Sequence, residues 1–507
     1  MSDNTQSSKR RIAQGAAVNI LGEVLSAAGE PLLFLVISRV LGAGMLGMYV
    51  LAAYYVSLFK RFAVMGLDKG MLRHVPLTAQ SHNGRENAFA PLGTALRLTA
   101  IGGIALAAIV TIAPGTFLTL GGDADALAAA VWLQVMILAV PAQAATRVIL
   151  FALRGASRMW PFVAVETLVA PLSLLVLSFV PLLFHLDPML LGYAYTASAV
   201  IAFAASLRFL GRHTTGRLRL IFAPWDKALV AFSLPQGLTE TLNFLLARID
   251  VLMIAFFFPK QPELVAFYGI AALIAGLVKK VRLAFDTSLA PAMSDLFSRG
   301  DMTTLNARYR EVGRWVLSLY LLVLGPVIFG APALLLAFGD SFNDYWYVVP
   351  ILAAGRLMNA AAGPAQTALL MSGRSKLELL NNGLINIVNV ALNAVLIPKY
   401  HVVGAAVATS ISLTLFSGIR VVQTARLVNL SAAPRTVFRL LGCAVPAGIP
   451  GMLTIASGAL TPTVGILLGA GYLIAFPVMV YRFGDRSDIV QAVAFLKRRF
   501  IKQKVAT

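Results

Sequence analysis

Basic residues stand well inside long apolar runs of this chain, where they could bind an anion. A charge at the centre of a bilayer costs about 2.5–3.5 kcal/mol on insertion scales, so such residues are functional candidates. The alternative is that these long side chains snorkel toward the membrane surface. The candidates for binding an anionic headgroup are Lys60, Arg61, Lys279, Lys280, Arg282, Arg147 and Arg356.

Acidic residues form a second stripe within the apolar runs. In the first run, Glu23 and Glu30 share a helical spacing with neighbouring polar residues, and Glu240 and Asp250 stand in the corresponding run of the second half. Such spacing places each set on one helix face. Two roles fit all four acids, either binding a coupling cation or pairing with the basic residues to lower the cost of burial.

A third stripe consists of asparagines at helical spacing, namely Asn382, Asn386, Asn389 and Asn393. Buried asparagines in a membrane often form hydrogen bonds from one helix to another. The alternative is that Asn382, Asn386 and Asn389 contact the sugars of a substrate. The spacing alone is compatible with both roles.

Motifs for enzymatic chemistry are absent from the sequence. It contains no HExxH, P-loop or GxSxG pattern, its five histidines are scattered, and Cys443 is its single cysteine. We therefore predict a protein that is not an enzyme and that has no cofactor and no metal site.

The composition predicts the elements that must position these residues. Of 507 residues, 58% are hydrophobic and 13% are charged, and the mean hydropathy is +0.80. Soluble domains average about 25% charged residues. Apolar runs of about 20 residues cross a bilayer as helices. We predict an all-α polytopic membrane protein with fourteen transmembrane helices, at 14–38, 46–67, 89–113, 126–150, 161–184, 189–209, 229–257, 264–290, 309–331, 346–371, 377–398, 402–425, 437–458 and 462–482.

An internal repeat organises these spans. A shift of about 218 residues brings landmarks of the first half onto the second, including Tyr49 onto Tyr268 and Pro181 onto Pro398. Six spans per repeat is an even number, so both repeats enter the membrane from the same side and are parallel. The predicted domains are a first lobe at 1–218, a second lobe at 219–436, and two additional helices with a basic tail at 437–507.

The distribution of basic loop residues predicts the orientation. With the N-terminus in the cytoplasm, 29 of the 42 Lys and Arg residues fall in cytoplasmic loops and tails, with Arg420 counted among them, whereas only Arg39, Lys260 and Lys399 fall outside. Both termini are therefore predicted to be cytoplasmic. Because the net charge of +20 is spread over all these loops, a nucleic-acid partner is not expected.

Two stretches carry a resemblance to a known family. The segment Ser38-Arg-Val-Leu-Gly-Ala-Gly-Met-Leu-Gly-Met-Tyr49 resembles the signature between spans one and two of bacterial polysaccharide exporters and O-antigen-type flippases. The segment Ile397-Pro-Lys-Tyr-His-Val-Val-Gly404 is similar to their stretch between spans eleven and twelve. This Wzx-like family belongs to the multidrug/oligosaccharidyl-lipid/polysaccharide flippase superfamily.

The resemblance implies a function and a set of partners. It implies alternating access that moves a lipid-pyrophosphate-linked oligosaccharide across the bacterial inner membrane. The implied partners are this lipid-linked glycan, membrane lipids, and the glycosyltransferases and polymerase of polysaccharide synthesis. Two alternatives stay open, a cation-coupled multidrug exporter of the same superfamily and, more remotely, a membrane polymerase or ligase. A polymerase or ligase would be expected to carry a long outer loop, and none is visible in the sequence.

Overall fold

The computed structural model describes residues 2–80, 89–112, 124–212, 224–277, 289, 293–431 and 434–483. It describes their side chains as well, apart from those of 2–28, 79–80, 124–129, 375 and 434. Every regular element within these ranges is helical, which confirms the predicted all-α class. The protein is thus a polytopic, all-helical membrane protein.

The helices follow one another through short connections. Those of the first half are α1 (Ser2–Val64), α2 (Leu67–Gln80), α3 (Ala90–Ile112), α4 (Ala124–Ile137), α5 (Ala139–Gly155), α6 (Met159–Leu183), α7 (Leu190–Gly211) and α8 (Lys227–Phe257). Those of the second half are α9 (Pro262–Gly276), α10 (Met302–Phe329), α11 (Ala331–Leu336), α12 (Asp340–Asn343), α13 (Val348–Ala361), α14 (Ala365–Met371), α15 (Ser375–Val428), α16 (Pro434–Ala456) and α17 (Pro462–Phe483).

Eight of the described helices are long and apolar enough to cross a membrane, or nine if the bent pair α4 and α5 forms one span. Each of the fourteen predicted spans overlaps a described helix. Two of the eight, α1 with 63 residues and α15 with 54 residues, are long enough to cross a membrane twice. Each of them has an internal break. The count of fourteen spans stays a prediction.

The breaks in α1 and α15 fall in the two segments that resemble the exporter family. Gly42 has φ 86° in α1, a left-handed conformation that side chains disfavour. His401 has φ 52° in α15, and Gly404 lies so close to the Leu396 carbonyl oxygen that an added Cβ would meet it at 2.2 Å. Both sequence segments therefore specify a tight turn between two helical halves.

Two compact units make up the chain. Unit 1 comprises Met1–Arg248 and Phe258–Val265, and unit 2 comprises Ile249–Phe257 and the described residues from Ala266 onward. Helix α8 contributes residues to both, because Arg248 belongs to unit 1 and Ile249 to unit 2. The predicted lobe boundaries at 218 and 436 remain predictions.

Helix α6 departs from regular α geometry in its first half. Residues Val163–Val169 form a π-helical segment, which is flanked by α-helical turns at Met159–Phe162 and Ala170–Leu183. A π segment accommodates one extra residue, and such segments often occur at functional sites. This one carries Glu166, an acid that turns toward the interior of unit 1.

A polar residue caps the N-terminus of α10. The Asp301 carboxylate caps the helix by accepting a hydrogen bond of 3.0 Å from the Thr304 backbone N–H. Hydrogen bonds from Thr304 and Thr303 lower the pKa of Asp301 to about 2. Because the folded-state pKa is depressed, the cap contributes fully above the unfolded pKa and is lost only as the pH falls toward 2.

Candidate functional site

Unit 1 encloses a cavity of about 330 Å³ between α1, α5, α6 and α7. We call it the unit 1 cavity. Its apolar wall is formed by leucines, alanines and Phe34. Its polar and aromatic lining consists of Glu30, Tyr49, Tyr54, Ser57, Lys60, Gln143, Thr146, Arg147, Glu166, Tyr195 and Ser198. A lining of this kind can bind a ligand that carries both charge and hydroxyl groups.

Lys60 is the cation of this cavity that stands apart from carboxylates. It lies in the second half of α1, where the spacing of Tyr54, Ser57 and Lys60 places all three on one helix face. Among the described residues, no carboxylate oxygen lies within 4.0 Å of the Lys60 ammonium group. The structure therefore presents an ammonium group at the cavity wall without a carboxylate bound to it.

Arg147, on α5, is bound by two carboxylates from different helices. Its Nε donates to Asp68 Oδ2 of α2 at 3.1 Å, and its Nη1 donates to Glu166 Oε1 of α6 at 3.2 Å. The guanidinium also lies over the Phe151 ring, 4.5 Å from the centroid, so that a cation–π contact adds to the ion pairs. These contacts fix the orientation of Arg147 at the cavity wall.

The charges that line the cavity are balanced. In the described part of the lining, two cations, Lys60 and Arg147, face two acids, Glu30 and Glu166. The expected headgroup-binding residues thus include two that line one cavity, but this cavity is mixed rather than purely cationic. An anion would be attracted by Lys60 and would compete with the acids for Arg147.

Arg61 and Glu240 form a separate ion-pair group in unit 1. Glu240 of α8 lies 3.9 Å from Arg61 Nη1 and 3.6 Å from Lys69 Nζ. Arg61 also lies over the Phe244 ring at 4.6 Å. Arg61 is not among the residues that line the cavity, although it follows Lys60 directly. These contacts are those of charge pairing, and the role of Glu240 stays a prediction.

Arg248 connects α8 to the cavity wall. Its Nη1 donates a hydrogen bond of 2.6 Å to the Tyr54 hydroxyl oxygen, and its guanidinium lies 4.4 Å from the centroid of the same ring. The polar end of Tyr54 is thereby fixed. The described helices of unit 1 thus position the cavity residues through contacts between side chains that are far apart in sequence.

Unit 2 contains a buried carboxylate bound by neutral groups. Asp250 accepts hydrogen bonds from the Tyr268 hydroxyl at 2.7 Å, the Thr409 hydroxyl at 2.5 Å and the Asn393 amide at 2.7 Å. Asn389 completes this carboxylate cluster, because it donates to Thr409 and accepts from Asn393. The cluster joins α8, α9 and both halves of α15.

The carboxylate cluster offers oxygen ligands without a basic partner. Among the described residues, no Lys or Arg nitrogen lies within 4.0 Å of the Asp250 carboxylate, which is almost fully buried. A buried carboxylate without a counter-ion is costly in an apolar interior. Binding a proton or a small cation removes this cost, and carboxylate, amide and hydroxyl oxygens are suitable ligands for a hard cation.

The other asparagines of α15 turn toward neighbouring groups of unit 2. Asn382 accepts a hydrogen bond from Arg420 at 2.8 Å, and Asn386 donates to the Asn382 carbonyl at 2.7 Å. Arg420 also pairs with Glu378 through two hydrogen bonds. The prediction that placed Arg420 among loop cations is wrong, because this arginine is buried inside α15 and its charge is compensated there.

The remaining candidates have simpler placements. Arg356 lies on α13 of unit 2, near Gly276. The Glu23 side chain and the residues Lys279, Lys280 and Arg282 lie outside the described part of the structure.

Sequence reasoning missed several residues of both sites. Asp68 and Glu166 are acids beside or within apolar runs, and a search for every such acid would have found them. Tyr268 and Thr409 carry no comparable signal, because tyrosines and threonines are common in membrane spans. Their role becomes visible only when the fold brings them to Asp250.

Comparisons with known proteins extend these observations. No protein-family model matches the chain, and no curated protein matches it. Solved structures do match. The lipid II flippase MurJ in an inward closed conformation is similar with a TM-score of 0.67 at 12% identity, covering 92% of this chain and 99% of that one.

Multidrug resistance transporters of the MATE family match as well. An inward-facing structure has a TM-score of 0.70 at 14% identity and covers 81% of this chain and 98% of that one. An outward-facing structure has a TM-score of 0.58 at 13% identity, with coverages of 83% and 95%. At these identities the likeness concerns the fold. The chain therefore has the fold of these flippase and transporter structures.

Proposed function

We propose that this protein is a flippase that moves a lipid-pyrophosphate-linked oligosaccharide across a membrane by alternating access. The observation that carries the proposal is the unit 1 cavity, where Lys60 lines the wall with no carboxylate of the described residues within 4.0 Å and Arg147 lines the same cavity. A pyrophosphate is a dense anion, and ammonium and guanidinium groups in a confined cavity attract it strongly.

The rest of the lining suits the sugar that follows the pyrophosphate. Tyr54 and Tyr195 offer ring faces and hydroxyl groups, and Ser57 and Ser198 add further hydroxyls. Among the described residues, the Gln143 side-chain oxygen is buried without a hydrogen-bond donor, so it could accept one from a sugar hydroxyl. The similar structures include a flippase whose name specifies a lipid-linked substrate, lipid II, which supports this substrate class.

We place cation coupling at Asp250 in unit 2. Of the four acids singled out in the sequence, Asp250 is buried and, within the described part of the chain, accepts hydrogen bonds from neutral donors only, whereas Glu240 already pairs with Arg61 and Lys69. Uptake of a proton or of Na⁺ by the carboxylate cluster would change its charge and therefore the packing preferred by its helices. Coupling to an ion gradient would supply the energy for directional transport.

The cellular setting follows from the same proposal. We expect the protein in the bacterial inner membrane with both termini in the cytoplasm, next to the glycosyltransferases that make its substrate and the polymerase that uses it. Reporter fusions test the orientation. Fusions after Asp187 and Lys260 should report the outer side, and a fusion after Asn429 the cytoplasm. An outer location for Asn429 would contradict the topology.

The transport function can be tested with purified protein in liposomes. The fluorescence of a labelled isoprenyl-diphosphate disaccharide is quenched from one side of the liposome membrane. The rate at which the labelled lipid appears on the other side is then measured. Lys60→Ala should lower the rate about tenfold, because a unit charge near a bound anion contributes on the order of 1.4 kcal/mol.

The matched control is Arg97→Ala, which also removes a cation from a membrane helix. Arg97 lies over the Trp225 ring at 5.1 Å and does not line the cavity, so its loss should leave the rate within about twofold. Transport by Lys60→Ala at the rate of the unmodified protein, at equal protein amounts, would contradict the proposed headgroup site.

A second candidate function is export of cationic drugs, because Glu30 and Glu166 also line the cavity. The structural likeness to multidrug transporters is compatible with it. The same variant separates the two functions. For a cationic substrate such as ethidium, removing the Lys60 charge should raise affinity and transport instead of lowering them.

A further inference from the structure

The two carboxylates that bind Arg147 differ in their exposure and in the number of hydrogen bonds that they accept. The Asp68 side chain is 6% exposed, and both of its oxygens are engaged, one by Arg147 and the other by the Lys69 backbone N–H at 2.9 Å. The Glu166 side chain is 37% exposed and faces the cavity, and its one hydrogen bond to a described residue comes from Arg147. Asp68 is a fixed partner, whereas Glu166 is a partner that can leave.

The π-helical backbone at Glu166 provides a way for this side chain to move away from Arg147. Glu166 lies in the middle of the π segment Val163–Val169, and α geometry is restored on both sides. Moving the extra residue of a π segment along the helix rotates the side chains it passes by about 100°, the angle per residue of an α-helix. Such a shift would swing Glu166 away from Arg147 without breaking the helix.

The charge balance of the cavity requires that one of its acids be displaced when an anion binds. With Lys60, Arg147, Glu30 and Glu166 all ionised, the part of the lining that the structure describes carries no net charge. A diphosphate entering this cavity meets two like charges as well as two opposite ones. Withdrawal of Glu166 would free Nη1 of Arg147, so that the Nη1–Nη2 edge of the guanidinium could bind phosphate oxygens in a bidentate manner.

We propose that Glu166 is an exchangeable partner of Arg147, displaced when the diphosphate of the substrate binds and restored when the substrate leaves. The inference rests on the function proposed above and adds a residue that sets affinity. Asp68 keeps the guanidinium in place during the exchange. Because Glu166 competes with the substrate, it weakens binding and thereby speeds release after transport.

Binding of farnesyl diphosphate to the purified full-length chain tests the exchange by isothermal titration calorimetry. Glu166→Gln should bind about tenfold more tightly than the unmodified protein, because a competing carboxylate has been removed a few ångströms from the bound anion. Asp68→Asn should bind more weakly, because Arg147 loses its fixed support. The two substitutions each remove one negative charge from Arg147, yet they should change the affinity in opposite directions.

Glu240→Gln is the matched control. Glu240 is an acid of unit 1 with similar exposure that also pairs with an arginine, but it does not line the cavity. Its affinity should stay within about twofold of the unmodified protein. A further variant, Glu30→Gln, removes a charge from the cavity without touching Arg147. It should tighten binding by much less than Glu166→Gln does, since no partner of Arg147 is displaced.

Several results would overturn the exchange. They are an unchanged or weaker affinity in Glu166→Gln, an equal gain in Glu30→Gln, and a gain in Asp68→Asn. If Glu166→Gln does not fold, Glu166→Asp replaces it. This variant withdraws the carboxylate from Arg147 by one methylene and should tighten binding about threefold, and unchanged binding would again overturn the exchange. If the unmodified protein flips the lipid but these variants show no gain in affinity, the exchange alone is refuted. If the unmodified protein does not flip the lipid, the proposed function is refuted.

Discussion

The two units place their charged residues in opposite surroundings. In unit 1, Arg147 and Glu166 form an ion pair at the wall of a cavity, next to Lys60. In unit 2, Asp250 is enclosed by hydroxyl and amide donors, and Glu378 pairs with Arg420 in a fully buried contact. Charges that face a cavity can exchange partners with a ligand, whereas enclosed charges can change only by taking up a proton or a small ion.

The charged residues that distinguish the two units lie at positions of the internal sequence repeat. The shift of about 218 residues aligns Arg147 with Ala365, Glu166 with Leu384, and Asp250 with Leu32. These three charged residues therefore have apolar counterparts in the other half of the sequence. The sequence repeat predicts similar helices in both halves, and the differences within it separate the charged cavity wall of unit 1 from the enclosed carboxylate of unit 2.

The largest expected effect concerns the two ion pairs. The Arg420 and Glu378 side chains are only 7% and 3% exposed, so Arg420→Ala should lower the free energy of unfolding by about 3–5 kcal/mol. Glu166→Gln should cost no more than about 1 kcal/mol, because its pair with Arg147 is partly exposed. Thermal or denaturant unfolding of both variants in detergent provides the measurement.

A double variant controls for the loss of volume. Arg420→Met together with Glu378→Leu removes both charges and should recover most of the stability that Arg420→Ala loses. Equal destabilisation by Arg420→Ala and Glu166→Gln would show that the two pairs do not differ as described, and the comparison of the units would lose its basis.

A smaller effect is expected at the duplicated tyrosines. Tyr268 donates a hydrogen bond to the buried Asp250 carboxylate, so Tyr268→Phe should cost about 1.5–3 kcal/mol. Tyr49 occupies the equivalent place in the repeat and packs against aromatic rings at the unit 1 cavity. Tyr49→Phe keeps these ring contacts and should change stability by less than about 0.5 kcal/mol. The same unfolding assay would contradict the account if Tyr49→Phe were the more damaging change.

Much of the fold could be predicted from the sequence. Apolar runs placed the helices, and the gaps between the predicted spans, at 39–45 and 399–401, contain the breaks of α1 and α15 at Gly42 and His401. These features depend on local composition and on residues that are close in sequence. They therefore leave a signal that can be read along the chain.

The sites could be predicted only in part. Lys60, Arg147 and Asp250 stood out because charge is rare in apolar runs. Their partners did not, because contacts such as Asp68 with Arg147 and Asp250 with Thr409 join residues that are distant in sequence. For the same reason, the sequence assigned Asp250 and Asn389 to different roles, whereas the fold joins them in one cluster. Periodicity shows which residues share a face but not which faces meet.

The most direct test of the division between the units is the dependence of flipping on an imposed Na⁺ or proton gradient. Asp250→Asn keeps a hydrogen-bonding side chain in the cluster but removes the charge that would bind the ion. The account predicts that this variant still equilibrates the fluorescent lipid-linked disaccharide across the liposome membrane, but at a rate that no longer responds to either gradient. A gradient response equal to that of the unmodified protein would contradict the assignment of coupling to unit 2.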